Sequence, residues 1–159
     1  MQIIGIIEVN KGSCLKFEQE RPDMPTLILD RITSKAYPFN YGYLPNTVAY
    51  DSDALDVVIF GTTKIPSGTR VRANVIGVLP VTDNGVRDDK IIAEIAGESV
   101  HFDTALSMYI DFLLTYKTGV EVGDFKGPHA AKMLINKCSL TYKRGYTSPE
   151  DLENELQVP

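Results

Sequence analysis

The chain has 159 residues, of which 43% are hydrophobic and 23% charged, a composition that excludes a disordered or fibrous chain. That length suits one domain, expected to run over 1–159. No apolar run approaches ~18 residues, so no membrane span is expected, and a net charge of −5 argues against a nucleic-acid partner.

The N-terminal stretch Met1–Glu8 has no basic region, and Glu8 interrupts its apolar run. It is not the pattern of a signal peptide. With only Cys14 and Cys138, the chain has no disulfide framework. A cytoplasmic location with reduced thiols is expected.

The first two thirds read as strands. Ile3 to Val9 is β-branched and apolar. Leu15 to Glu20 alternates with period two, and 26–33 alternates more loosely, with Pro25 among the punctuating residues. Asp56 to Phe60 is a short buried strand. Thr69 to Val81 forms one long strand, answered by Lys90 to Ile95 across an Asn84-Gly85 turn, a strong hairpin signal. The period then changes. Leu106, Tyr109, Ile110, Leu113 and Tyr116 share one helical face, with Asp103 as N-cap and Gly119 just beyond the C-terminus. A second helix starts near Pro128, turns Ala131, Leu134, Ile135, Cys138 and Tyr142 to one side, and stops at Gly145. Ser148 to Asp151 caps a short last helix. Short strands followed by helices predict an α+β fold, a small closed or partly closed antiparallel β-barrel with flanking C-terminal helices.

The acids are unevenly spread. Between Glu20 and Glu94 there is no Glu, yet the segment holds eight Asp, including Asp23, and eight Lys or Arg, including Arg21. Short acids of this kind suit loops and metal sites better than solvated helix faces. Two clusters stand out: Asp51-Ser-Asp53-Ala-Leu-Asp56 before an apolar strand, and Asp83-Asn-Gly-Val-Arg-Asp88-Asp89-Lys90 at a hairpin tip. Carboxylates at that density repel unless something positive sits among them. Each cluster alone also fits a solvated turn with Asp as turn former. A basic and phenolic set is scattered around them: Lys16, Arg31, Tyr37, Tyr41, Tyr43, Lys90, Tyr116 and Lys117. His101 and His129 are the only histidines, and neither a nucleophile elbow nor a Gly-rich phosphate loop occurs.

Taken together, several blocks resemble the soluble inorganic pyrophosphatases of family I. They are Glu8, Lys16-Phe-Glu18, Asp30-Arg31, Tyr37-Pro-Phe-Asn-Tyr41-Gly-Tyr43, Asp51 to Val57, Gly77-Val-Leu79 with Asp83, Asp88-x-Lys90-Ile-Ile-Ala93, and Tyr116-Lys117. The resemblance runs from about residue 3 to about residue 120. It implies a five-stranded OB-like barrel and Mg2+-dependent hydrolysis of pyrophosphate to two orthophosphates by a metal-activated water. It also implies roles. Asp51, Asp56 and Asp88 are ligands of the activating metal, Asp56 shares a second ion, and Asp83, Asp88 and Glu8 face metals arriving with substrate. Asp53 is the general base. Lys16, Arg31, Tyr41, Lys90, Tyr116 and Lys117 clamp phosphate, with Glu18 and Tyr37 in support. Several Mg2+ ions, replaceable by Mn2+, and a homo-oligomer are expected. The segment 118–126 departs from the family pattern, and Ala54-Leu55 replaces its usual Pro-apolar pair. The competing readings are a metal-dependent nucleotide pyrophosphohydrolase and a non-catalytic OB-type binding module, which would need a basic groove with stacking aromatics.

Overall fold

A computed structural model describes residues 1–20 and 26–158. Arg21, Asp23 and Pro25 lie outside the described residues. Five strands close a barrel: β1 (Gln2–Val9), β4 (Asn40–Tyr43), β5 (Asp56–Phe60), β9 (Lys90–Ile95) and β6 (Arg70–Leu79), in that order around the ring. Four of the pairs are antiparallel and one, β5 with β9, is parallel. The expected barrel is there, but it is mixed. The reason is geometric: strand direction cannot alternate all the way round a ring with an odd number of strands.

Both faces of β5 and β9 are buried, which explains their unbroken apolar runs. Val57, Ile59, Ile91 and Ala93 join one apolar cluster with α2 (Pro128–Arg144); Val58, Phe60 and Ile92 join a second with α1 (Phe102–Tyr116). A two-stranded sheet, β2 (Leu15–Gln19) with β3 (Leu27–Ile32), stands beside the barrel. A second small sheet holds β7 (Val81–Asp83), β8 (Val86–Arg87) and β10 (Val120–Val122). The last helix is α3 (Pro149–Leu156).

Several local expectations change. The single strand over 69–81 is divided at Pro80, which has no N–H to continue a ladder, so β7 turns away to pair with β8 and β10. The expected Asn84-Gly85 turn joins β7 to β8, with positive φ at both residues (49° and 82°), as a tight hairpin needs. Strands β4, β8 and β10 are additions. β4 was hidden in the Tyr-Gly-Tyr motif, where a Cβ on Gly42 would lie 1.9 Å from the Ile6 carbonyl oxygen; only Gly admits that approach of β1. The N-cap of α1 is His101, whose ring accepts from Thr104 N–H, and not Asp103, which sits in the first turn. Its C-cap is Lys117 rather than a residue next to Gly119. Tyr142 is 41% exposed, and Thr141 takes the inner position of α2.

Candidate active site

One end of the barrel opens into a cavity of about 350 Å³. All fourteen residues singled out as site candidates line it: Glu8, Lys16, Glu18, Arg31, Tyr37, Tyr41, Asp51, Asp53, Asp56, Asp83, Asp88, Lys90, Tyr116 and Lys117. They come from β1, β2, β3, the β3–β4 loop, β4, the β4–β5 loop, the first residues of β5 and β9, β7, the β8–β9 link, and the last residue and C-cap of α1.

The local backbone explains the placement. The β4–β5 loop is clasped by Thr47, whose hydroxyl donates to Leu44 C=O (2.6 Å) and accepts from Leu55 N–H (2.9 Å). Within it, Ala49 N–H donates to Asp53 C=O, and Ser52 takes a positive φ of 72°. This tight turn carries Asp51 and Asp53 to the mouth, with Asp53 N–H donating to Asp51 Oδ1 at 3.1 Å. Register then puts Asp56 at the start of β5, paired with Tyr43. Across the cavity, β10 pairs with β7 so that Val120 faces Asp83. That pairing brings Lys117 Nζ within 2.8 Å of Asp83 Oδ2. On the small sheet, Lys16 and Glu18, two apart on one face, form an ion pair at 2.8 Å.

Lys90 is the electrostatic centre. It is 4% exposed, and its ammonium lies 2.7 Å from Asp88 Oδ1, bonds to Asp56 Oδ2, and donates to Tyr41 Oη at 3.4 Å. Burial disfavours its charge, but Asp56 and Asp88 outweigh burial and hold it firmly protonated. Burial also opposes ionisation of Asp56, yet Lys90 keeps that carboxyl below its usual range. The other acids go the opposite way. Asp88 is pushed up to about 7 by burial, with the charge of Asp56 adding to it against the pull of Lys90. Glu8 is pushed up to about 9 by burial and then by Asp56. Asp51 and Asp53 are raised by burial and by neighbouring carboxylates. Four carboxyls held above their ordinary values in one cavity mark a site short of positive charge.

The donor set fits a hard divalent cation. One oxygen each from Asp51, Asp56 and Asp88 lies within 4.8 Å of the other two. All three are carboxylates, the ligand type Mg2+ takes in preference to imidazole or thiolate. Lys90 offsets only one of the three charges. A further polar group is unsatisfied: the buried Tyr43 hydroxyl, which lines the cavity in the field of Glu8, has no hydrogen-bond partner among the described residues.

Tyr43, read in the sequence as one of the phenolic set but given no role, and Tyr109, noted only as helix face, thus belong to the lining. Tyr109 is 1% exposed, and Lys90, Asp56 and Asp88 all act electrostatically on its phenol, which burial holds protonated. A signal for it existed. It stands seven residues before Tyr116, two helical turns up the same face.

The fold and the cavity define a small closed barrel whose open end gathers oxygen ligands and cationic side chains from separate segments. A family model described as inorganic pyrophosphatase matches residues 5–143, and the chain belongs to that family. A soluble inorganic pyrophosphatase of Hordeum vulgare is 36% identical over 107 residues, covering 65% of this chain and 49% of the barley protein. Soluble inorganic pyrophosphatase 2 of Chlamydomonas reinhardtii is 32% identical over 164 residues, 94% of this chain and 84% of the relative. The chain spans about half the length of the land-plant relatives it matches. Among solved structures, an inorganic pyrophosphatase from Neisseria gonorrhoeae superposes with a TM-score of 0.82 at 26% identity, covering 89% of this chain and 91% of that one.

Proposed function

We propose that the protein hydrolyses inorganic pyrophosphate to two orthophosphates with Mg2+ as cofactor and Mn2+ as a substitute. The observation that carries the reading is the convergence of fourteen residues from separate sequence blocks on one cavity, with acids and bases interleaved. Family membership supports the same activity.

Asp51, Asp56 and Asp88 would hold the activating cation, and Glu8 and Asp83 a cation entering with substrate. When bound, these ions supply Lewis-acid charge neutralisation of a compact polyanion. The chain's own groups do the rest. Asp53 is partly exposed at the mouth, and its raised carboxyl is a better base near neutral pH than an ordinary Asp. Its carboxylate takes the proton of the attacking water as the P–O–P bond breaks. Lys16, Arg31 and Lys117 neutralise the phosphate oxygens as charge moves onto the leaving phosphate. The buried phenols of Tyr37, Tyr41 and Tyr109 stay protonated. They add hydrogen bonds without net charge, as does Tyr116. Lys90 holds Asp56 and Asp88 in place, and Glu18 orients Lys16.

The reading extends to a single domain over 1–159 that works as a homo-oligomer in the cytoplasm. Free thiols at Cys14 and Cys138 and exposed apolar side chains such as Ile32 and Met133 support it. No described helix is long and apolar enough to cross a membrane. The test is phosphate release from pyrophosphate and, in parallel, from ATP, with and without Mg2+. Mg2+-dependent release from pyrophosphate is expected. No release, or a preference for ATP, rejects the proposal.

A further inference from the structure

Helix α3 lies beyond the residues matched to the family and contributes nothing to the cavity lining. It is nevertheless tied to both loops that carry the acidic cluster. Glu153 Oε1 on α3 accepts from Tyr50 Oη at 2.7 Å and from Lys137 Nζ at 2.6 Å. Tyr50 immediately precedes Asp51. Its ring carries the Arg87 guanidinium, whose Cζ stands 4.1 Å from the ring centroid. Arg87 Nε donates to Asp89 Oδ2 at 2.7 Å, and Asp89 Oδ1 accepts from Val81 N–H at 3.2 Å. Arg87 and Asp89 flank Asp88, whose own N–H donates to Val81 C=O at 2.8 Å. The chain alternates here: Asp51 and Asp88 face the cavity, while Tyr50, Arg87 and Asp89 are absent from its lining.

The arrangement matters because the β4–β5 loop and the β8–β9 link bring like charges together. Asp51 and Asp88 repel, and inside the cavity Lys90 ties Asp88 to Asp56 but makes no ion pair with Asp51 among the described residues. The Tyr50–Arg87 stack joins the two segments from behind. The Lys137–Glu153 pair is about 39% and 36% exposed, so as an ion pair alone it adds little. Its effect is to fix the Tyr50 ring on which Arg87 rests. At the other end, Asp89 is 7% exposed, so the Arg87 link is anchored in the interior and is not a surface decoration.

We infer that Tyr50 and Arg87, anchored by Glu153 of α3, form a positioning clamp that sets the spacing of Asp51 and Asp88 and so the cluster's affinity for a divalent cation. The inference rests on the reading of that cluster as cation-binding. It assigns a role to a peripheral helix, to a loop tyrosine and to an arginine that touch neither substrate nor ion.

The test is calorimetric titration of Mg2+ into the substrate-free protein, for wild type, Tyr50→Ala, Arg87→Ala, the double variant and Tyr50→Phe. Each alanine variant is expected to weaken Mg2+ binding about tenfold, the low end for groups that support ligands from outside the first coordination sphere. The double variant is expected to lose no more than either single one, because both remove the same contact. Tyr50→Phe keeps the stack but loses the Glu153 anchor, so its affinity should fall between those of wild type and Tyr50→Ala. In hydrolysis assays, saturating Mg2+ should restore kcat to within about twofold. Arg87 is half exposed, so Arg87→Ala carries the test alone if Tyr50→Ala does not fold. Mg2+ affinity within twofold of wild type in Arg87→Ala, additive losses, or a kcat deficit that Mg2+ leaves in place overturns the clamp. A wild-type protein that binds no Mg2+ overturns the reading of the cluster itself.

Discussion

Replacing Lys90 by Met tests the electrostatic account of the site most directly. Met keeps the length and the apolar stem but removes the ammonium between Asp56 and Asp88. Lys90 is 4% exposed, and its two partners are 17% exposed at the side chain. Removing one partner of a buried ion pair costs about 3–5 kcal/mol, because a charge is left uncompensated. For a chain of this size, where 1 kcal/mol shifts Tm by about 2–4 °C, that is a fall of roughly 10 °C.

The deficit should depend on conditions in a definite direction. Without Lys90, Asp56 loses the charge that keeps it below its usual range, and Asp88 is raised still further above its unfolded value. A raised folded-state pKa stabilises at low pH, and that contribution is lost as pH climbs through the folded value. Asp88 already stands at about 7 with Lys90 in place. The variant should therefore lie closest to wild type near pH 5.5 and furthest from it near pH 8. Mg2+ should also repair it, since a divalent cation supplies the missing positive charge to the same oxygens. The assay is thermal unfolding followed by circular dichroism at pH 5.5 and pH 8, in chelator and in millimolar Mg2+. A deficit under about 1 kcal/mol at pH 8, or one indifferent to both pH and Mg2+, refutes the reasoning.

Three other outcomes follow from the structure. Asp53→Asn should lower kcat by about 10²–10⁴, the usual contribution of a general base, while Tm stays nearly constant because the residue is exposed; a near-normal kcat removes its assigned role. Tyr109→Phe should lower kcat/KM about tenfold through one lost hydrogen bond to a charged group, with the ring packing kept; a change within twofold places Tyr109 in the core alone. Burial pushes the Cys138 thiol up to about 12, so its stabilising contribution should be present below pH 9 and fall by about 1.4 kcal/mol per pH unit above it; urea unfolding of Cys138→Ala should show a shallower alkaline slope than wild type, and equal slopes contradict the burial argument.

The site was more legible in the sequence than the fold details. Every candidate residue reached the cavity because each block carried its own chemistry: Asp at loop tips, Lys beside them, Tyr around a Gly. What the sequence hid was contextual. β10 is only Val-Glu-Val, and it becomes a strand because β7 offers an edge once Pro80 turns the chain. β4 alternates phenol and Gly, and it is held by neighbours on both sides. Tyr109 read as core because a helical period cannot distinguish a face packed on a barrel from one opening into its mouth. Asp103 reads as the N-cap from its residue type, and the observed cap, His101, depends on a ring nitrogen meeting Thr104.

Charge shows the same difference between total and place. A net −5 suggests that a polyanion is a poor partner, and the cavity lining sharpens the objection with seven carboxylates against four cationic side chains. That formal balance of −3, reduced where Glu8 and Asp88 hold their protons, still opposes pyrophosphate. It adds to burial, the larger cause, in making Glu8, Asp51, Asp53 and Asp88 resist ionisation. On the proposed function, two divalent cations would reverse the sign of that balance, and Lys16, Arg31 and Lys117 would meet the phosphates in a positive field. The acidity that argues against an anionic substrate in the bare chain would then be the condition for binding one together with its metal.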